Sequence, residues 1–395
     1  MANDQELAIV CFAGNDWWYH NRGLFCPQVM TRLSRDFLVL FVNSLGMRVP
    51  SLKNDKYALK KIARKIRSIS RFLRKSQEGM IIVSPLSLPI SGNRIGRAIN
   101  SYSVYAQIKI LMTLYGIKRP VFYVNCPPAL DVVKRFGRCC LIYERTDLFA
   151  EMPGINRDYI KSLDTELLRT SDLVLYVDEA MYKEGAKQNL NSLLIGHGVD
   201  FPRFADERLY NTIPKDLANI PKPIVGYFGD ICDKTFDFAL MEQLAKALMW
   251  VSFVLIGPLS SDVGCLRKYK NVHILGQKPY EEIPRYGAHF DVSILPWKTN
   301  QWVMHSYPIK IKEYLALGNP FVSIDIPAVD SFRDVIYVAS SYDDFVKQVR
   351  LALQDKDSKA RSTRKESVRN ETWDSKAEQI REFILQNAES DSVKE

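Results

Sequence analysis

Short runs of apolar, β-favouring residues recur along the chain, and between most of them the apolar positions fall at helical spacing. In the first half the runs are LAIVCFA (7–13), FLVLFVN (37–43), MIIVSP (80–85), VFYVN (121–125), CLIYE (140–144), LVLYV (173–177) and LLIGH (193–197). In the second half they are PIVGYFG (223–229), VSFVLIG (251–257), NVHILG (271–276), DVSILP (291–296) and PFVSI (320–324). These runs are continuous and do not alternate, so each predicts a strand covered on both faces, and strand–helix alternation predicts parallel order. The expected fold class is α/β, with two Rossmann-like, doubly wound parallel sheets.

Pro202, Pro214, Pro221 and Pro223 interrupt the pattern in a mixed polar stretch that favours neither strand nor helix. The reading is therefore a first domain over 1–205, a linker over 206–222 and a second domain over 223–370. Two open sheets joined in this way turn their strand C-terminal edges toward a shared cleft, where such folds take ligands.

Composition adds less than the placement of charge. With 47% hydrophobic and 25% charged residues the chain can build more than one core. No apolar run approaches the roughly 20 residues that span a bilayer. The first residues show no secretory leader, and seven cysteines without a CxxC pair suit buried thiols in a reducing compartment, so the expected location is the cytoplasm. The net charge of +9 is uneven: residues 1–119 hold 19 Lys/Arg against 6 Asp/Glu, whereas residues 221–395 hold 23 against 24. Residues 53–75 alone carry ten basic residues and one acid. There Leu59, Ile62, Ile66, Ile69 and Leu73 are spaced as one helix face, which predicts a basic amphipathic helix. It is either a surface helix on its own sheet or an attachment to anionic lipid through Lys60, Lys61, Arg64, Lys65, Arg67 and Arg71, on the inner face of the cell membrane. A membrane surface is preferred to nucleic acid, for which the chain carries no recognisable motif.

The densest chemistry lies in SYPIKIKEYLALGNPFVSIDIP, 306–327. Ser306 reads as an N-cap, Pro308 as a first-turn residue and Gly318 as the terminator of a short helix. Ile311, Tyr314 and Leu315 form its packing face, and Ser306, Lys310 and Glu313 fall together on another. A helix start with a lysine one turn in suits a diphosphate, and Glu313, about 7 Å beyond Pro308 at 1.5 Å per residue, suits sugar hydroxyls. The competing reading is a surface Lys310/Glu313 ion pair. PIVGYFGDI, 223–231, ends a strand in Gly229, where a backbone could approach a ligand or simply turn. No HExxH, Cys/His cluster or DxD sequence points to a metal, and no Walker A, GxSxG or kinase signature occurs.

In order along the chain, DWWYHNRG, LIYERTDLF, TSDLVLYVDEAMYKE, LIGHGVDFPRF, YFGDI, the spaced pattern over 272–286, DVSILPWK, PIKIKEYLALGNPFVS and TWD at 372–374 resemble the glycosyltransferases of GT-B fold that use nucleotide-sugar donors. The similarity is greatest to teichuronic-acid-type and exopolysaccharide enzymes and covers nearly the whole chain. It implies an acceptor-binding first domain, a donor-binding second domain, a helix over 371–387 crossing back to the first domain, and a tail over 388–395. It implies that Glu313 holds the donor ribose and that Lys310, with Ser306, Tyr307 and Pro308, faces the diphosphate. Gly229 and Asp230 would lie near the phosphates and the transferred sugar, Gly276 and Gln277 against the base, and Lys234 would be a second phosphate ligand or an ordinary loop lysine.

His305 stands where the retaining branch of the family has a second glutamate, so it either touches the donor or leaves the pair incomplete, and the stereochemistry is open. Asp147 matches the general base of inverting relatives. Asp16 and His20 are alternatives that could equally cap a helix, and Arg22 could hold an anionic acceptor. The implied activity is metal-independent, cofactor-free transfer from a nucleoside-diphosphate sugar, UDP by the family's habit, to a saccharide or lipid-linked acceptor in cell-surface polysaccharide synthesis. A nucleotide-sugar epimerase of the same fold and a non-catalytic scaffold are the alternatives.

Overall fold

The computed structural model describes residues 7–19, 22–45, 63, 66–87, 93–137, 139–152, 154–304 and 306–392. The chain divides into two compact units: Met1–Gly196 together with Trp373–Glu395, and His197–Thr372.

The first unit is built on β1 (Leu7–Phe12), β2 (Leu38–Val42), β3 (Leu73–Lys75), β4 (Ile81–Val83), β5 (Arg119–Val124), β6 (Cys140–Arg145), β7 (Leu173–Tyr176) and β8 (Ser192–Leu194), in spatial order β3-β4-β2-β1-β5-β6-β7-β8. All neighbours are parallel except the edge pair β3/β4. The second unit holds β9 (Ile224–Phe228), β10 (Ser252–Ile256), β11 (Val272–Gly276), β12 (Val292–Leu295), β13 (Phe321–Ile324) and β14 (Tyr337–Ala339), wholly parallel, in the order β11-β10-β9-β12-β13-β14. Each sheet has a core of its own, from Val10, Phe122 and Tyr143 in the first unit to Val225, Leu255 and Ile294 in the second. These are two doubly wound α/β domains.

Every continuous apolar run of the sequence lies on a strand. Central strands such as β1, β5, β9 and β10 are buried nearly throughout, which only apolar side chains on both faces can satisfy. Asn93, Asn156, Asp178, Asp237 and Ser341 cap the helices Arg94–Leu114, Arg157–Thr170, Glu179–Gly185, Phe238–Ala247 and Tyr342–Gln354, each accepting a first-turn backbone N–H.

Three local expectations change. The helix expected over 53–75 stops early: residues 66–69 are helical, but 73–75 form β3, antiparallel to β4. A three-residue edge strand with one neighbour buries too little to leave an apolar signature, and Leu73 is only half-buried. Ile66, expected on the packing face, is 63% exposed. Lys60, Lys61, Arg64 and Lys65 lie outside the described residues. The stretch expected as linker, 206–222, packs on the second unit: Leu217 is buried in its core, and the Tyr210 hydroxyl donates to the carbonyl of Leu317 at 3.3 Å. The last helix runs Trp373–Ser392, longer than 371–387, and belongs to the first unit. Trp373 packs edge-on against Phe25 at 5.5 Å, Asp374 pairs with Arg32 and Arg35, and Arg119 donates to the carbonyl of Ala388, where the sequence alone suggests a tail.

Among the described residues no helix is long and apolar enough to cross a membrane. All seven cysteines are free thiols.

Candidate functional site

Strand order reverses in the second unit between β9 and β12, and the C-terminal edge at such a switch point is open to a ligand. β9 runs into Gly229, β12 is followed by Trp297, and the helix Lys310–Leu317 precedes β13, so three connections meet there.

That helix is held by its apolar face. Ile311, Tyr314 and Leu315 are fully buried, and Gly318 closes it in the left-handed conformation at φ 79°. Tyr314 also repairs the sheet. Pairing between β9 and β12 ends at Gly226, and the backbone N–H of Phe228 donates to the Tyr314 hydroxyl at 3.0 Å. Ser306 is not the N-cap: its hydroxyl donates to the Trp302 carbonyl at 2.7 Å, and the cap position falls to Ile309, with helical backbone angles and no side-chain bond. The preceding short helix, Gln301–Met304, ends in carbonyls that need a donor, and Ser306 is the nearest one. Tyr307 is half-buried and Pro308 buried; His305 lies outside the described residues.

Lys310 turns back over the strand ends. Its ammonium lies 4.6 Å from the ring centre of Trp297 and 5.1 Å from that of Tyr227, with the Tyr227 hydroxyl at 3.4 Å. The Tyr227 hydroxyl is itself fixed, accepting from Trp297 Nε1 at 3.2 Å and donating to the Asp230 carbonyl at 3.0 Å. A β-carbon on Gly229, at φ +147°, would stand 2.5 Å from Lys310 Nζ, so the backbone favours glycine there and the lysine tip would have to shift to admit any side chain. Gly257, at the end of β10, abuts Gly229: a β-carbon there would lie 1.8 Å from the Gly229 carbonyl oxygen. Burial pulls the Lys310 amine down to about 8, against the opposing pull of the Glu313 and Asp230 charges.

Glu313 is buried one turn on. It accepts a hydrogen bond from the Tyr280 hydroxyl at 3.0 Å, and burial pushes its carboxyl up to about 7, opposed by that bond and by the Lys310 charge. The surface ion pair between Lys310 and Glu313 is not formed among the described residues; each side chain goes to its own aromatic partner. A cation and a carboxylate thus stand in one desolvated site without neutralising each other, as a ligand carrying both phosphate and hydroxyl groups would require.

The remaining candidates of this unit lie around the same edge. Asp230 is exposed and accepts from the Ser260 hydroxyl at 2.6 Å. Gly276 ends β11 with positive φ, and its carbonyl accepts from the Gly257 N–H; Gln277 is exposed. Lys234 is exposed, and its carbonyl is held by Asn300. Tyr227, Trp297 and Tyr280 are the side chains around Lys310 and Glu313 that sequence reasoning missed. All three lie inside motif segments, but an aromatic at or just beyond a strand end, or at the start of a short helix like Tyr280, reads equally well as packing.

In the first unit the candidates divide. Asp147 is half-buried in the loop after β6. Beside it stands Glu144, missed from sequence and fully buried, which accepts from the Tyr123 hydroxyl at 2.8 Å and Asn125 Nδ2 at 2.9 Å. Burial pushes its carboxyl up to about 8, with the Asp147 charge adding to the shift. Asp16 organises its loop, accepting from the Trp18 N–H at 3.0 Å and the Ser68 hydroxyl at 2.6 Å. Arg22 reaches Glu78 at 3.4 Å and lies over Trp17. Arg71 is stacked on Trp18 at 4.7 Å, and among the described residues of that stretch Arg67, Arg74 and Lys75 are exposed. His20 lies outside the described residues. Among the described residues no group of three or more His, Cys, Asp or Glu could hold a metal ion.

Residues 222–355, most of the second unit, match the family described as Glycosyl transferases group 1. TuaH of Bacillus subtilis (strain 168), a protein named for teichuronic acid biosynthesis as a glycosyltransferase, is 23% identical over 334 residues, covering 72% of this chain and 83% of TuaH. Among solved structures, sucrose-phosphate synthase from Thermosynechococcus elongatus superposes with a TM-score of 0.69 at 14% identity, over 97% of this chain and 99% of that one. Anabaena Alr3699/HepE in complex with UDP-glucose gives 0.66 at 14% identity, over 96% and 99%. The trehalose 6-phosphate synthase of Burkholderia multivorans gives 0.65 at 11%, over 98% and 99%. At these identities the superpositions speak for the fold, which is that of the GT-B enzymes, and the matched family speaks for the second unit, which carries a Glycosyl transferases group 1 domain.

Proposed function

We propose that the second unit binds a nucleoside-diphosphate sugar, with UDP as the nucleotide, and that the enzyme transfers its sugar to a saccharide or lipid-linked acceptor in the synthesis of a cell-surface polysaccharide. The observation that carries this reading is the pairing of Lys310 and Glu313 on one short helix at the switch point, each desolvated and neither neutralised by the other. The UDP and UDP-glucose complexes of Alr3699/HepE and the name of TuaH point the same way.

In this reading Lys310 and the amides at the start of its helix face the diphosphate, and Glu313 exchanges the Tyr280 hydroxyl for the ribose hydroxyls. An acceptor hydroxyl oxygen forms the new bond to the anomeric carbon as the bond from that carbon to the diphosphate breaks. Asp147 takes the hydroxyl proton, and Lys310 stabilises the charge that develops on the departing UDP, so no metal ion is needed for that task. The basic stretch near Arg67 would hold the enzyme at an anionic membrane surface, where a lipid-linked acceptor resides.

A thermal-shift panel of UDP, GDP, dTDP, ADP and CMP tests the donor assignment. A nucleotide at about 100 times its dissociation constant stabilises by roughly 2.7 kcal/mol, so UDP raises the melting temperature and the others do not. Equal shifts from all five would remove the base assignment, and no shift from any would remove the donor site.

A further inference from the structure

A second site stands in the first unit, lined by residues that the proposed function does not use. The start of helix Arg94–Leu114, the short helical segment 130–136 and the start of helix Arg157–Thr170 border an open cavity of about 410 Å³ lined by Arg94, Arg97, Lys134 and Arg135. Lys134 is paired with Glu166 at 2.6 Å. The one acid in the lining, Asp131, is engaged by the Tyr159 hydroxyl at 2.7 Å. Arg94, Arg97 and Arg135 have no carboxylate partner among the described residues. Arg97 is held over the Tyr159 ring at 4.1 Å, and Arg135 is aimed by two bonds to the Ser101 hydroxyl at 3.2 and 3.0 Å. Three guanidinium groups, two of them oriented, outnumber the single carboxylate of the lining, and their planar forks match phosphate oxygens.

The neighbouring face of the same helix identifies what else the ligand carries. Ile95, Ile99 and Tyr102, spaced four and three apart, form one stripe and are 74%, 50% and 62% exposed. They lie one residue, about 100° of helix rotation, from the arginine face, and Arg135 stacks on Tyr102 at 5.4 Å. Large apolar side chains gathered on a soluble face mark an interaction site.

We infer that this cavity binds the phosphate of a lipid, with the acyl or prenyl chain against Ile95, Ile99 and Tyr102. The inference deepens the membrane part of the proposed function, but it is independent of the donor site and its test needs no sugar transfer. The lipid phosphate has two sources, a bilayer phospholipid or a lipid-linked acceptor.

The test is equilibrium titration of the full chain with dioctanoyl phosphatidic acid, dioctanoyl phosphatidylcholine and inorganic phosphate. Phosphatidylcholine vesicles doped with either phosphatidylglycerol or a polyprenyl phosphate then separate the two sources. The short-chain phosphatidic acid is expected to bind more tightly than phosphate or the phosphatidylcholine. Arg94→Gln and Arg135→Gln, both at exposed positions, should each weaken it about fivefold. Ile99→Asp should remove its advantage over inorganic phosphate. UDP binding should be unchanged in all three variants, which separates failure here from failure of the donor reading. Lipid binding that survives Arg94→Gln/Arg135→Gln, or inorganic phosphate that binds as well as the short-chain lipid, would overturn the inference.

Discussion

Lys310 and Glu313 show how burial alone prepares two side chains for a ligand. A lysine drawn down to about 8 and a carboxyl raised to about 7 are both ionised only between those values. In the proposed reading the charged amine serves the diphosphate, and it is lost as pH rises through about 8. The carboxylate serves the ribose hydroxyls in the same reading, and it is lost as pH falls through about 7. UDP affinity measured calorimetrically should therefore peak between the two values and fall on both sides; an affinity flat across this range would show that neither group meets the nucleotide. Gly229→Ala tests the close approach of the lysine. Alanine at φ +147° is strained by about 1–3 kcal/mol, and its methyl group occupies the place of Lys310 Nζ. UDP binding should weaken about tenfold or more, for about 1.4 kcal/mol of lost interaction. That Gly229, Lys310 and Glu313 gather at one edge could be read from sequence, because a strand-end glycine and a charged helix face are unusual where they stand. Tyr227, Trp297 and Tyr280 could not, since an aromatic side chain has the same appearance in sequence whether it packs, meets a cation as Tyr227 and Trp297 do, or donates to a carboxylate as Tyr280 does.

The helix Lys310–Leu317 is positioned from both sides. Its apolar face enters the core, Tyr314 takes the Phe228 amide that β12 leaves unpaired, and Lys312 donates to the His197 carbonyl at 2.6 Å and to Glu371 at 2.7 Å. Tyr314→Phe leaves that buried amide without an acceptor and should cost about 1–3 kcal/mol, read as a lower melting temperature of the protein. A melting temperature equal to wild type would mean that the hydroxyl does not hold the strand. Legibility of the elements followed burial in the central strands but not at the sheet edges, where β8, nearly as exposed as β3, still lay on an apolar run. Strands covered on both faces declared themselves as apolar runs, whereas β3 and β14, three residues each at sheet edges, did not. The Ser306 cap failed for a related reason: an N-cap signal is local, and here the carbonyl of Trp302 competes for the same hydroxyl.

At the scale of the molecule, the sequence shows two domains because each sheet needs a core of its own, and it shows the excess of positive charge in the first third because charge is counted directly. Neither pattern reveals where individual cations go. Arg22 pairs with Glu78, Arg71 stacks on Trp18, and Arg94, Arg97 and Arg135, outside the most basic stretch of the sequence, line one cavity. The C-terminal helix likewise shows no strong signal of its partner in composition; Trp373, wholly buried against Phe25, supplies it through one long-range contact. The central claim is that the second unit is a nucleotide-sugar site read by Glu313. The most direct measurement is calorimetric titration of UDP into the wild type and into Glu313→Gln, which keeps an acceptor for Tyr280 but lacks the charge. The wild type should bind UDP, and the variant should bind about ten- to a hundredfold more weakly, the worth of hydrogen bonds to a charged acceptor at about 1.5–3 kcal/mol. UDP bound equally tightly by both proteins would contradict the account.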